Sequence, residues 1–165
     1  MLVIFNSMAG VMLIGQAATL TKRSLTGWVV LLGNSHVSWK TKKQPTVSRS
    51  SAEAEYRSMA NTTCELKWLK GLLSDLGICH MQPMSIHYDS QATLHIAKNL
   101  VFYERTKHIK VDCDYIRNEI LRGTIKPSFV STRHQLADIF TKALGSSQFD
   151  YLLAKLGISH LHAPT

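Results

Sequence analysis

Ser48-Arg-Ser-Ser-Ala-Glu-Ala-Glu-Tyr-Arg57 opens the longest periodic segment of the chain, and its reading decides the fold. Ser50 followed three residues later by Glu53 has the spacing of a capping box, in which a hydroxyl and a carboxylate satisfy the backbone N–H groups that a first helical turn leaves free. From there Tyr56, Met59, Thr63, Leu66, Leu69, Leu73 and Leu76 recur at steps of three or four, the period of one helix face, and Gly77 supplies a stop. The segment predicts a long amphipathic helix whose apolar face needs another layer to cover it.

Upstream, the apolar runs Leu25–Leu32 and His36–Lys40 flank Gly33-Asn34, the signal of a hairpin. The basic stretch Lys40-Thr-Lys-Lys43 and then Pro45 are expected to lead the chain out of the sheet. Downstream, Met84–Tyr88 reads as a strand ending at Asp89, followed by helices over Ser90–Lys98 and Lys107–Arg122, the latter closed by Gly123. Ile125–Val130 alternates like a strand, Gln135–Leu144 reads as a helix, and Gln148–Leu156 as a last helix ending at Gly157. Strands followed by alternating helices and strands define an α/β arrangement that begins antiparallel and continues through crossovers.

A length of 165 residues suits one domain, and the net charge of +8 with a pI near 9.6 points to a polyanionic partner. Charge alone does not separate nucleic acid from an acidic membrane. Cys64, Cys79 and Cys113 form no CxxC pair and leave an odd thiol, which fits a reduced, intracellular setting (cytoplasm or nucleus) better than a disulfide framework. The apolar opening Met1-Leu-Val-Ile-Phe has no Lys or Arg before it and is interrupted by Asn6, Ser7, Gly10 and Gln16, which argues against a signal peptide or a bilayer span. A secreted or membrane-anchored protein is the rival reading that this opening leaves. No Asp or Glu occurs before Glu53.

Three acids stand at element ends where a site could assemble. Asp89 closes a strand, and carboxyl ends of strands are where α/β sheets place ligands. Asp138 falls in the first turn of the helix after the last strand. At about 100° per residue, Glu55 points into the arc of Met59, Leu66, Leu69 and Leu73, while Glu53 points almost opposite, toward water. A carboxylate aimed at the sheet is costly unless paired, so Glu55 is the functional candidate and Glu53 the cap. Taken singly, each of these acids also suits an ordinary cap or turn. Together, carboxylates from three elements suit hard cations such as magnesium, and a pair of ions about 3.5–4 Å apart can activate water against a phosphodiester.

The segment Ser48–Arg57 resembles the hallmark of ribonuclease H domains in copia-type (Ty1/copia) retrotransposon Gag-Pol polyproteins. So do Ser24-Leu-Thr-Gly-Trp28, Val37-Ser-Trp-Lys40, Lys42-Lys43-Gln44-Pro45, Tyr88-Asp-Ser-Gln-Ala92, Glu104-Arg-Thr-Lys-His-Ile109 and Gln135-Leu-Ala-Asp-Ile-Phe-Thr-Lys142. The resemblance runs from about Thr21 to the C-terminus. It implies a ribonuclease H-like mixed five-stranded sheet flanked by helices, and cleavage of the RNA strand of RNA–DNA hybrids with two Mg2+ (or Mn2+) ions. Its acidic set falls on Glu55, Asp89 and Asp138 as catalytic residues and metal ligands. The implied partners are an RNA–DNA hybrid or other nucleic acid and the reverse transcriptase domain of the same polyprotein, with no membrane.

One departure matters. The family's first strand carries Asp-Ala-Asp-Trp-Ala-Gly-Cys, whose aspartate is shared by both metals. Here Val11-Met-Leu-Ile-Gly-Gln-Ala-Ala18 occupies that place without an acid. Codons for Val11–Ala18 exist (GTG ATG CTG ATT GGG CAG GCT GCC) that spell the missing motif when read from the last base of the first. Residues 1–20 therefore read as an out-of-frame segment supplying an aberrant first strand, 21–145 as the ribonuclease H-like domain, and 146–165 as a C-terminal helix and tail. Enzymatic activity is expected to be weak or absent. The rival within the same fold is a catalytically inactive nucleic-acid-binding remnant.

Lys40, Lys42, Lys43 and Arg49 form one basic group, and Arg105 and Lys107 with His108 and Lys110 another. Either suits a solvated surface or, given the resemblance, phosphate-backbone contacts. Trp28 and Trp39 are expected in the core. His160 and His162 make only half a metal site, and His134 is assigned no catalytic role.

Overall fold

A computed structural model describes residues 2–4, 11–12, 14–17, 23–91, 94 and 109–158. The elements run β1 (Leu2–Ile4), β2 (Val11–Met12), β3 (Ile14–Ala17), β4 (Ser24–Leu32), β5 (Ser35–Lys43), α1 (Ser51–Asp75), β6 (Met84–Tyr88), α2 (Lys110–Leu121), β7 (Ile125–Phe129), α3 (Asp138–Thr141) and α4 (Ser146–Lys155). A 3-10 turn at Thr132–His134 precedes α3.

β4 and β5 form the expected hairpin, with Gly33 at φ 66° in its turn, a backbone region that glycine enters without a Cβ penalty. The ladder extends from Leu32↔Ser35 to Leu25↔Lys43. Lys40–Lys43 thus stay in the sheet, contrary to the expectation that they leave it. The nine residues of β4 offer β5 a full set of partners, and an edge strand carries exposed lysines without penalty. Helix α1 starts and stops as its sequence predicts: Ser50 caps it, and Gly77 follows at φ 80°. β6 and β7 are parallel and joined through α2, the crossover the element order implies.

Among the described residues, all seven strand segments belong to one sheet, where the resemblance implies five. The excess comes from the first 17 residues. β1 runs parallel to β4, β3 pairs antiparallel with Ser24–Gly27, and β1 and β2 both pair with β6. The stretch expected to supply an aberrant first strand holds one segment of two residues and one of four.

Residues alternating along β4 face opposite layers. Trp28 and Val30 join the core of α1 and α2, with Tyr56, Met59, Leu66, Ile86 and Ile116. Val29 joins a second core with Leu136, Ala137, Leu152 and Leu156, under α3 and α4. Trp28 is 4% exposed, as expected, but Trp39 is 63% exposed. Trp39 lies on the edge strand, most of which is uncovered.

The helix predicted over Gln135–Leu144 is regular only over Asp138–Thr141, because Lys142 turns to extended backbone (φ −118°, ψ 144°). α3 lies directly on β4 at Gly27, where an added Cβ would overlap the Thr141 side chain. A glycine inside a strand often marks such close approach. The helix predicted over Ser90–Lys98 falls mostly outside the described residues.

Candidate functional site

The parallel strands β6 and β7 end on the same side of the sheet, and the Val130 N–H donates to Tyr88 O across that end (2.7 Å). Asp89 follows β6 directly. The 3-10 turn then returns the chain so that α3 begins at the same corner, seated on Gly27. Asp89 and Asp138 are brought together here and share one cation. The Lys142 ammonium is 2.9 Å from Asp138 Oδ2 and 3.6 Å from Asp89 Oδ2.

Asp138 is 2% exposed, and its Oδ1 has no hydrogen-bond partner among the described residues. Burial pushes its carboxyl up to about 6; Lys142 opposes that shift and Asp89 adds to it. The neighbouring Gln135 side chain is also buried, with neither its amide nitrogen nor its oxygen partnered among the described residues. An unpartnered carboxylate oxygen beside a second carboxylate is hard-donor chemistry that fits Mg2+ or Mn2+.

Helix α1 separates Glu53 from Glu55, but not as the periodicity predicts. Glu53 does not face water: it is 5% exposed. Its N–H donates to Ser50 Oγ (3.2 Å), its Oε2 accepts from the Arg49 N–H (2.7 Å), and its Oε1 pairs with Arg57 (2.6 Å). The capping role stands, and the ion pair with Arg57 makes the burial tolerable. Glu55 is half-buried, next to Tyr56. Among the described residues, no group of three or more His, Cys, Asp or Glu side chains is placed to hold a metal ion. The structure therefore unites Asp89 with Asp138 and does not gather Glu55 into one cluster with them.

The first basic group lines a cleft of about 320 Å3 between β4–β5 and α1. Lys40, Lys42 and Lys43 enter from β5 and Arg57 from α1, beside Trp28, Thr26 and Asn61, with Asp112 as the one acid among the described lining residues. The Lys40 ammonium lies 5.1 Å from the centre of the Trp28 ring, a cation–π distance. Beneath the cleft, the buried Gln44 amide nitrogen donates to Thr26 Oγ1 (3.1 Å), Ala54 O (2.8 Å) and Ser58 Oγ (3.3 Å), while its Oε1 accepts from Ser48 Oγ (3.0 Å). This knot fixes the lysine-bearing strand against the helix. Arg49 is exposed and does not line the cleft. Arg105 and Lys107 lie outside the described residues, as do His160 and His162.

Sequence reasoning missed Lys142, Arg57, Gln44 and Gly27. Lys142 and Arg57 each stand four residues after a buried acid, the spacing at which helical charges meet. Gly27 stands inside a strand, directly before the apolar run Trp28–Leu32. Gln44 gave no local signal.

Fold and site together define a basic α/β domain with an acid pair at the carboxyl end of its parallel strands. No family model matches the chain. It is 44% identical over 135 residues to the retrovirus-related Pol polyprotein from transposon RE2 of Arabidopsis thaliana, covering 82% of the chain and 9% of that protein. It is 42% identical over 138 residues to the corresponding protein from transposon RE1 of the same plant, covering 84% of the chain and 9% of the relative. With the Pol polyprotein from transposon TNT 1-94 of Nicotiana tabacum it shares 32% identity over 137 residues, covering 83% and 10%. The chain belongs to the copia-type retrotransposon Pol polyproteins and spans about a tenth of the length of these relatives. All three cysteines are free, and no helix among the described residues is long and apolar enough to cross a membrane.

Proposed function

We propose that this fragment is the ribonuclease H-like domain of a copia-type Pol polyprotein, able to bind an RNA–DNA hybrid and impaired in cleaving it. The observation that supports this best is the corner where Asp89 and Asp138, from separate elements, converge on one cation with an idle buried oxygen beside it. In the intact family arrangement these residues and Glu55 would hold Mg2+ or Mn2+, which supplies Lewis-acid stabilisation and an activated water. Asp138 would present its Oδ1, Asp89 would face it from the strand end, and the closeness of α3 to Gly27 would hold the pair in place. Glu55 would have to act from α1, and the first 17 residues bring no acid at all. Three acids out of the family's four should not align two ions.

The basic cleft supplies the binding half of the reading. Lys40, Lys42 and Lys43 present three positive charges on an edge strand open to a long polyanion, and Arg57, already paired with Glu53, adds its guanidinium from α1. Such groups give salt-sensitive affinity with little reading of sequence. The cleft together with the missing acid also favours the second reading, a binding remnant without catalysis.

Binding of a labelled RNA–DNA hybrid as a function of salt tests the reading. Lys42→Ala with Lys43→Ala is expected to weaken binding and to flatten log Kd against log[salt] by about 2, near one unit for each phosphate no longer neutralised. An unchanged slope would remove the cleft from the binding surface. Incubated with Mg2+ or Mn2+, the same hybrid should be cut feebly or not at all. Robust cleavage that EDTA abolishes would mean that another group replaces the absent aspartate.

A further inference from the structure

We infer that Lys142 is a resident counter-cation: its ammonium holds the Asp89–Asp138 pair together without metal and must swing away before a divalent ion can bind there. The inference rests on the proposed metal-binding role of this pair.

Two carboxylates meeting at a largely buried corner repel each other, and something cationic has to stand between them. Lys142 does so, at 2.9 Å from Asp138 and 3.6 Å from Asp89, with only 16% of its side chain exposed. Both of these approaches fall on Oδ2 atoms, and the buried Asp138 Oδ1 has no partner among the described residues. The ammonium thus bridges the two acids while one ligand oxygen stays free. Its main chain is anchored where α3 ends, since the Lys142 N–H donates to Asp138 O (2.8 Å). Beyond this point the backbone is extended, so the side chain can rotate away without unwinding α3. A divalent cation drawn to both acids would sit against the ammonium, and two positive charges at such range repel strongly. Binding therefore requires breaking the lysine's hydrogen bond to Asp138.

Lys142 thereby sets metal affinity without being a metal ligand. An ordinary surface ion pair would make no such demand on the metal. The buried Glu119 shows the reverse arrangement, one acid met by two cations, Lys67 and an Arg122 whose side chain is 68% exposed.

The test measures Mn2+ binding by the full-length chain, without nucleic acid, from the electron paramagnetic resonance signal of free Mn2+. Lys142→Met and Lys142→Gln are each expected to bind at least about tenfold more tightly than wild type, the equivalent of one charge-assisted hydrogen bond that no longer has to be broken. Lys126→Met, the same charge change at an exposed position, should alter affinity by less than about twofold. Asp138→Asn added to Lys142→Met should abolish the gain. In wild type, Mn2+ should also raise reductive methylation of Lys142, which needs no variant to fold.

Equal affinity of wild type and both Lys142 variants, with binding still lost in Asp138→Asn, would overturn the inference and leave the metal site standing. Methylation of Lys142 that Mn2+ does not change would overturn it likewise. Mn2+ binding that is absent throughout, or indifferent to Asp89→Asn and Asp138→Asn, would overturn both the inference and the metal-site reading beneath it.

Discussion

Two acids in this molecule are buried at the starts of helices, and they are used in opposite ways. Glu53, at the start of α1, is 5% exposed and has both oxygens engaged, one by the Arg49 N–H and one by Arg57. Asp138, at the start of α3, is 2% exposed and has one oxygen held by Lys142 and the other without a partner among the described residues. The difference teaches where function can reside. A buried carboxylate whose oxygens are all satisfied stabilises the fold; one with an idle oxygen beside a second acid destabilises it and keeps a place for a ligand.

The comparison breaks most readily at Glu53. Glu53→Ala should destabilise the protein by about 3 kcal/mol, because it leaves Arg57 without its partner and opens the helix cap. Denaturant unfolding measures this, and a loss below about 1 kcal/mol would show that Glu53 is not the structural acid described. Gly27→Ala should follow at about 2 kcal/mol, since the new methyl must displace Thr141 and with it the α3 corner. If Gly27→Ala were neutral, the seating of α3 on β4 would be wrong, and the approach of Asp138 to Asp89 with it.

Asp138→Asn should change stability by less than about 1 kcal/mol in either direction, since it removes a buried charge along with its one ion pair. A loss as large as that from Glu53→Ala would erase the distinction between the two acids.

The smallest effect is one of pH, and it sharpens the contrast. His87 is half-buried, with Nδ1 2.8 Å from Ser128 Oγ, and burial pushes its imidazole down to about 4. Its folded pKa lies below the unfolded value near 6.5, so the stability it contributes is present above that value and declines as pH falls toward 4. Asp138 works the other way. Its folded pKa, about 6, lies above the unfolded value, so its contribution is present at low pH and is lost as pH rises through 6. Melting temperatures between pH 4 and 7 should therefore become less acid-sensitive in His87→Gln and more acid-sensitive in Asp138→Asn. Identical pH profiles for wild type and both variants would contradict the burial of these groups.

Much of this frame was legible in the residues. The apolar period from Tyr56 to Leu69, with Ser50 before it and Gly77 after it, marked α1 because helix caps and faces are local properties. Gly33-Asn34 marked the hairpin for the same reason, and Asp89 stood out as an acid placed where a strand must end. What was not legible depends on the meeting of distant segments. Helix angle alone points Glu53 toward water, since it does not reveal the Arg49 backbone and Arg57 closing over it. A tryptophan in a strand is expected in the core, but Trp39 is exposed because β5 is the edge of the sheet. The helix predicted through Leu144 stops at Thr141, and Lys142, on the extended backbone that follows, stands against both aspartates. The lysines of β5 gather into a cleft because β5 stays paired with β4 through Lys43, which a basic stretch followed by proline did not suggest.

The central claim is that the Asp89–Asp138 corner belongs to a nuclease site lacking its first acid. It is tested most directly by replacing Val11–Ala17 with Asp-Ala-Asp-Trp-Ala-Gly-Cys and measuring Mg2+-dependent cleavage of the RNA in an RNA–DNA hybrid. Cleavage should rise from near background to a robust, EDTA-sensitive rate. In that background Glu55→Gln, Asp89→Asn and Asp138→Asn should each remove most of the activity, while Glu53→Gln retains it. A repaired chain that folds and binds hybrid but does not cut, or one whose cleavage survives all three substitutions, would contradict the account.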